Sequence, residues 1–219
     1  MKLYTVQPLC VYELLCQVGL FHSRPLAYPE SILSNFGDGF EFNLAYAWMM
    51  ARMSERDLPR PHPEVYPLWA YYRWEGIARP KPDLRSSGMK VCGSEGRHVL
   101  MTVDIPDERV LLSDYFAWHY CLNYCYAGTV KASQAFDRRL RQAYGACCYH
   151  PLPEPFHQEL LASWDLVLDL AGSRRVQHTR KDEQVIQATF WELRAAEVTA
   201  ALAFGGGRLR ERLPRPHHN

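Results

Sequence analysis

Seven cysteines stand at 10, 16, 92, 121, 125, 147 and 148, and no two of them make a C-x-x-C pair. An odd, scattered set lacks the framework of a disulfide-stapled secreted domain. It suits a reducing cytoplasm, where free cysteine behaves as a small apolar group. Also missing is any apolar run near the roughly 20 residues that a bilayer crossing needs. The opening M-K-L-Y-T-V-Q-P, broken by Thr5 and Gln7, is not the apolar core of a secretion signal. The expectation is a cytoplasmic protein with no membrane partner. Surplus charge is lacking too: a net charge of +1 provides no long-range field to gather nucleic acid, which is therefore the less favoured partner. No G-x-S-x-G elbow is present, and Gly205-Gly206-Gly207 lacks the lysine and following helix of a phosphate loop. His119, Cys121 and Cys125 lie close together, as do Cys147, Cys148 and His150. Neither group has the paired spacing of a zinc turn, so both read as buried thiols with core or capping histidines, and no metal is expected.

What is there is an ordinary globular composition, 47% hydrophobic over 219 residues, enough for one domain with a sizeable core. Alternation predicts strands near 2–7, 67–74, 98–105, 184–193 and 198–204. Helical spacing predicts helices over 11–18, stopped by Gly19, and over 41–55. Another is capped by Ser113 or Asp114 and runs through Asn123; a basic one carries Arg138, Arg139 and Arg141, and a last one covers 157–170. Residues 25–40 and 76–96 read as irregular loops. The fold class is α+β, with a mixed or antiparallel sheet and packed helices. The domain is expected over 1–204 and a flexible basic tail over 205–219.

Aromatic residues are abundant, with 13 tyrosines and 6 tryptophans. Five of these rings and Arg73 crowd into Y-P-L-W-A-Y-Y-R-W, from Tyr66 to Trp74. A strand there sets Leu68, Ala70, Tyr72 and Trp74 on one face and Trp69, Tyr71 and Arg73 on the other. The second face can stack a planar ring and hold a phosphate or carboxylate together. In V-I-Q-A-T-F-W-E-L (185–193), Gln187, Thr189 and Trp191 share a face, either on a wet edge strand or beside a cleft. In L-L-S-D-Y-F-A-W-H (111–119), Asp114 is a helix cap, or else Asp114 or His119 is a polar group at a cleft mouth.

Five segments fall in order: L-Y-T-V-Q; Y-P-L-W-A-Y-Y-R-W-E-G with K-P-D-L-R; I-P-D-E-R-V-L-L-S-D-Y-F-A-W-H-Y-C-L-N; S-W-D-L-V-L-D-L; and I-Q-A-T-F-W-E-L. Together they resemble a bacterial family catalogued as domain of unknown function 3841, from residue 2 to about 204. That resemblance implies a single-domain cytoplasmic bacterial protein and carries no established activity.

The layout of strand, helix and glycine from Leu3 to Gly19, an aromatic middle strand and a late Q-x-polar strand is also similar to the ADP-ribosyltransferases. This second resemblance implies NAD as cofactor and an acceptor it does not identify, the partner being a small nucleotide ligand or a protein acceptor. Thr5 and Gln7 would orient the nicotinamide ribose, and Trp69, Tyr71 and Arg73 would sandwich and anchor the dinucleotide. Arg24 or Arg85 would pair with the pyrophosphate, and Gln187 would hold the acceptor. Thr189 stands where that superfamily carries the glutamate that stabilises an oxocarbenium-like transition state, a role threonine cannot fill. Either Asp182 or Glu183 then substitutes, or the fold binds without this chemistry. Gln187, Thr189, Asp114 and His119 form the candidate catalytic set. The alternative expectation is a non-catalytic binding module. It would recognise a nucleotide, peptide or partner protein through the aromatic-arginine face, with Arg138, Arg139 and Arg141 adding phosphate contacts.

Overall fold

Alternation along L-Y-T-V-Q sends Leu3 and Thr5, both fully buried, to one side of β1 (Lys2–Pro8) and Tyr4 and Val6 to the other. A strand with apolar cover on both faces suits the middle of a sheet, and there β1 lies. In a computed structural model describing residues 1–23, 40–94, 96–145, 151–171, 182–205 and 208–216, β1 pairs on one flank with β3 (Leu68–Arg73) and on the other with β4 (Arg97–Asp104). With β5 (Leu111–Asp114), β6 (Ile186–Phe190), β8 (Val198–Gly205) and β9 (Arg208–Leu213), these make a seven-stranded sheet in the order β5-β6-β3-β1-β4-β8-β9. All its pairings are antiparallel. A small separate ribbon joins β2 (Leu20–His22) to β7 (Glu192–Arg194).

Helix α1 (Leu9–Val18) ends where Gly19 adopts φ 81° and returns its N–H to the Leu15 carbonyl, the expected left-handed cap. Its Val11, Tyr12 and Leu15 cover the face carrying Leu3, Leu68, Ala70 and Met101. The opposite face is shared between two coverings. Met89 of α3 (Ser87–Ser94) packs with Leu100, Phe204, Tyr4, Val6 and Trp74. A helical layer of α2 (Phe40–Ser54), α4 (Tyr115–Leu122) and α6 (Phe156–Ser163) packs its core on Leu111 and Trp69. Helix α5 (Val130–Tyr144) adds Phe136 to that layer and leaves its arginines outside. No described helix is long and apolar enough to cross a membrane.

Four expectations need correction. The segment 76–96 is not wholly irregular, because α3 lies within it, its Met89 N–H bonded to the Ser86 hydroxyl. The helix expected over 157–170 stops at Ser163 and tightens into a 3-10 turn at Trp164–Leu168; the three-residue period of that turn buries Trp164 and Val167 together. The strand expected over 184–193 breaks at Trp191, whose indole N–H reaches the Leu58 carbonyl at 2.9 Å, so β6 and β7 serve different sheets. Residues 208–213 are not a free tail but the edge strand β9. Its Glu211 pairs with Arg97 at 2.7 Å, and Tyr12 donates its hydroxyl to the Pro214 carbonyl beyond it. The loop expected over 25–40 lies outside the described residues up to 39, with Phe40 opening α2.

Candidate functional site

Side chains opposite one another on paired strands leave the same face of a sheet. Tyr71 of β3 stands opposite Gln187 of β6, which stands opposite Ser113 of β5. Two residues along, Trp69, Thr189 and Leu111 form the next row. Three segments distant in sequence thus place Trp69, Tyr71, Ser113, Gln187 and Thr189 on one face, beneath α4. Between that face and α4 is a cavity of about 340 Å³, lined among others by Trp69, Tyr71, Tyr115, Trp118, His119 and Gln187.

The rings form walls rather than an open slot. Trp69 and Trp118 stack on each other with centroids 5.0 Å apart, and the Trp69 indole N–H donates to the Tyr46 hydroxyl at 3.1 Å. Tyr71 and Tyr115 are 5.9 Å apart and tilted, too close for a third ring between them. One face of Trp69, expected to sandwich a ligand, is thus taken by Trp118.

The polar groups differ in kind. Gln187 is 5% exposed, and its Nε2 has no hydrogen-bond partner among the described residues. The hydroxyls of Thr189 and Ser113, both fully buried, have none either. Buried polar side chains are nearly always bonded, so three such groups on adjoining strands of one face stand out. His119 is exposed and sits one ring away, 4.4 Å from Tyr115. Its Nδ1 lies 2.8 Å from the Tyr115 carbonyl, which can only accept. Nδ1 therefore carries the hydrogen, and in the neutral ring Nε2 is the acceptor.

Asp114 is the cap. One carboxylate oxygen accepts from the Ala117 N–H at 2.9 Å and the other from Gln184 Nε2 at 2.7 Å, so it fixes the start of α4 and does not line the cavity.

Several expected site residues do not come together. Thr5 is fully buried on the α1 side of the sheet, its hydroxyl donating to the Trp69 carbonyl at 2.8 Å, and Gln7 donates to Thr5 at 3.0 Å. Both are separated from the cavity by the sheet itself. Arg73 leaves the face of Trp69 and Tyr71 because Tyr72 is an extra residue between the pairs Tyr71–Gln187 and Arg73–Ile186. That bulge carries Arg73 over the Tyr72 ring at 5.2 Å and brings Trp74 to Tyr71, 4.7 Å ring to ring. Arg85 is exposed and held by Asp83 through contacts of 2.9–3.1 Å; the same contacts hold the Asp83 carboxyl down to about 2. Glu183 is exposed, and the Asp182 carbonyl accepts from the Ile77 N–H at 2.8 Å; neither residue lines the cavity. Arg24 lies outside the described residues, as do Cys147, Cys148 and His150.

Tyr46, Met89, Tyr115 and Trp118 were not named as site residues from the sequence, yet they line the cavity. Tyr115 and Trp118 fall within the L-L-S-D-Y-F-A-W-H segment, whose signal lay in the ring content flanking the capping Asp114.

A larger hollow of about 610 Å³ opens between α5 and the Phe156–Leu168 segment, lined in part by Ser163, Glu159, Asp165 and Asp169. Glu159 there is paired with Arg139 and Asp165 with Arg52. No unpartnered buried side chain is aimed into it among the described residues. It gathers none of the candidate residues.

A family model described as Domain of unknown function (DUF3841) matches residues 2–199. No curated protein and no solved structure matches the chain.

Proposed function

We propose that this chain, which belongs to the DUF3841 family, is a binding module for a small planar heteroaromatic ligand of the nucleotide class. The observation that carries this reading is Gln187, an amide buried at the wall of a ring-lined cavity with its Nε2 unpartnered among the described residues. Leaving such a group unbonded costs about 1–3 kcal/mol, which a ligand edge carrying a carbonyl or ring nitrogen would offset. Tyr71 and Tyr115 supply apolar ring contact, and His119 Nε2 supplies an acceptor nearer the solvent. At about 340 Å³ the cavity is near the lower end of ligand pockets, which run from about 300 to 1,000 Å³. That favours one base or nucleoside over an extended dinucleotide.

The residues assigned to NAD by resemblance fit only in part. Trp69, Tyr71 and Gln187 converge, whereas Thr5, Gln7, Arg73 and Arg85 do not. No carboxylate lines the cavity among the described residues. The charge stabilisation that glycosyl transfer needs has no described group here, so recognition is favoured over NAD consumption. NAD stays within the reading as a ring-bearing ligand, through its nicotinamide or its adenine. The free thiols of Cys10, Cys16, Cys121 and Cys125 fit a cytoplasmic setting, which cell fractionation checks.

The test is titration of tryptophan fluorescence with NAD, adenosine, guanosine, uridine and nicotinamide, with a parallel assay for nicotinamide release from NAD. Saturable binding of at least one ring ligand is expected. Gln187→Ala should weaken it by about tenfold or more at an unchanged melting temperature, and no nicotinamide should be released. Release would restore the enzyme reading. Absence of binding by every ring ligand would remove the binding one.

A further inference from the structure

We infer that the cavity takes an uncharged base and leaves any phosphate of its ligand outside, so that free bases and nucleosides bind as tightly as their phosphorylated forms. This rests on reading the cavity as a ring-binding site. Its described lining contains no Lys, Arg, Asp or Glu. Of the arginines that the aromatic-arginine idea would recruit, Arg73, Arg85 and Arg139 are engaged elsewhere. The β-bulge at Tyr72 sends Arg73 to the α1 side of the sheet, over a tyrosine ring. Arg85 is locked in a bidentate pair with Asp83. Arg139 of α5 is paired with Glu159, and no residue of α5 lines the cavity. A phosphate drawn into this cavity would lose its hydration and gain no lysine or arginine among the described lining, which is prohibitive.

The polar groups that face a ligand are graded in depth. The Gln187 amide is deep, and its free N–H donors call for a carbonyl or ring nitrogen on the buried edge of the ligand. His119 Nε2 is outermost and calls for a donor, such as a ring N–H or a sugar hydroxyl, on the exposed edge. The ligand therefore enters base first, with its sugar at the mouth and any phosphate in water beyond. The chemical class that meets these demands is the nucleoside or free base.

The experiment is calorimetric titration of the full chain with adenosine, guanosine and uridine, each against its own monophosphate, over about 50 to 300 mM salt. Each nucleoside that binds should match its monophosphate within about threefold, with affinity flat across that salt range. Gln187→Ala should weaken both members of a pair by about tenfold or more. A monophosphate that binds about tenfold or more tightly than its nucleoside, with an affinity that falls as salt rises, overturns the inference and leaves ring binding standing. Failure of every nucleoside and every monophosphate removes the ring-binding reading and this inference together.

Discussion

Thr5 and Trp69 are joined by a 2.8 Å hydrogen bond, from the hydroxyl of one to the carbonyl of the other, yet their side chains leave opposite faces of the sheet. The pair shows how the sheet divides the residues that a linear reading groups together. Thr5 is a structural bond that ties β1 to β3 from the α1 side. Trp69 is a wall of the cavity on the far side, stacked on Trp118. The same division separates Gln7 from Gln187 and Arg73 from Tyr71.

Thr189→Val tests whether the buried polar row is held for ligand binding. The hydroxyl has no partner among the described residues, so exchanging it for a methyl of similar shape removes an unmet polar group. The expected result is unchanged stability or a gain of about 1 kcal/mol in urea unfolding. A loss of that size would mean the hydroxyl is bonded and structural.

Gly76→Ala should be among the most damaging small substitutions. Gly76 has φ +76°, and a methyl there would lie 1.9 Å from the Asp182 carbonyl oxygen, a backbone atom that cannot swing away. The adjoining Ile77 N–H bonds that same oxygen at 2.8 Å, clamping the approach to β6 against the end of β3. A destabilisation of about 3 kcal/mol is expected from strain and overlap together. A urea midpoint close to that of the native chain would contradict the close approach.

Acid should release Glu192. Burial pushes its carboxyl up, but this is outweighed by the hydrogen bond to Arg194 and the contacts with His22 and Arg109, so its folded pKa lies below the ordinary value. A lowered carboxylate pKa favours the folded state above the unfolded pKa of about 4.3, and that contribution fades as pH falls through the folded value. Glu192→Gln should therefore be less stable than the native chain at pH near 7. The difference should shrink towards zero well below pH 4, as followed by chemical denaturation across the range. A difference that persists in acid would assign the effect to packing.

Tyr12→Phe should loosen the last strand without touching the cavity. The lost hydroxyl holds the Pro214 carbonyl beyond β9, so a cost of about 1 kcal/mol is expected. Amide exchange should speed up along 208–213 while α4 and β6 keep their protection. Equal acceleration everywhere would show that the contact supports the whole domain and not its edge.

Much of the fold was legible residue by residue. Alternation located β1, β3, β4 and β8, Gly19 marked the end of α1, and the start of α4 was placed at Ser113 or Asp114, of which Asp114 is the cap. Other elements were hidden for physical reasons. Ser-Gly-Met-Lys-Val-Cys-Gly-Ser carries two glycines and little apolar periodicity, so α3 depends on Met89 being covered by Leu100 and Phe204 rather than on propensity. The arginine-rich 208–213 reads as a frayed end until β8 offers it a ladder of backbone partners. β5 has only four residues and runs straight into a helix, too short to show a period.

The candidate site was half visible. Gln187, Trp69, Tyr71 and His119 were named from the chain and do meet at one cavity, while Thr5, Gln7, Arg73 and Arg85 do not. Sequence determined the polarity of each strand face, because side chains alternate with a period of two and hydropathy records the alternation. It could not say which faces would coincide. That was decided by register between strands more than a hundred residues apart, and by one inserted residue, Tyr72, that turned an arginine to the far side. Such choices are settled by which partner strand closes the hydrogen-bond ladder, and no residue carries that information alone.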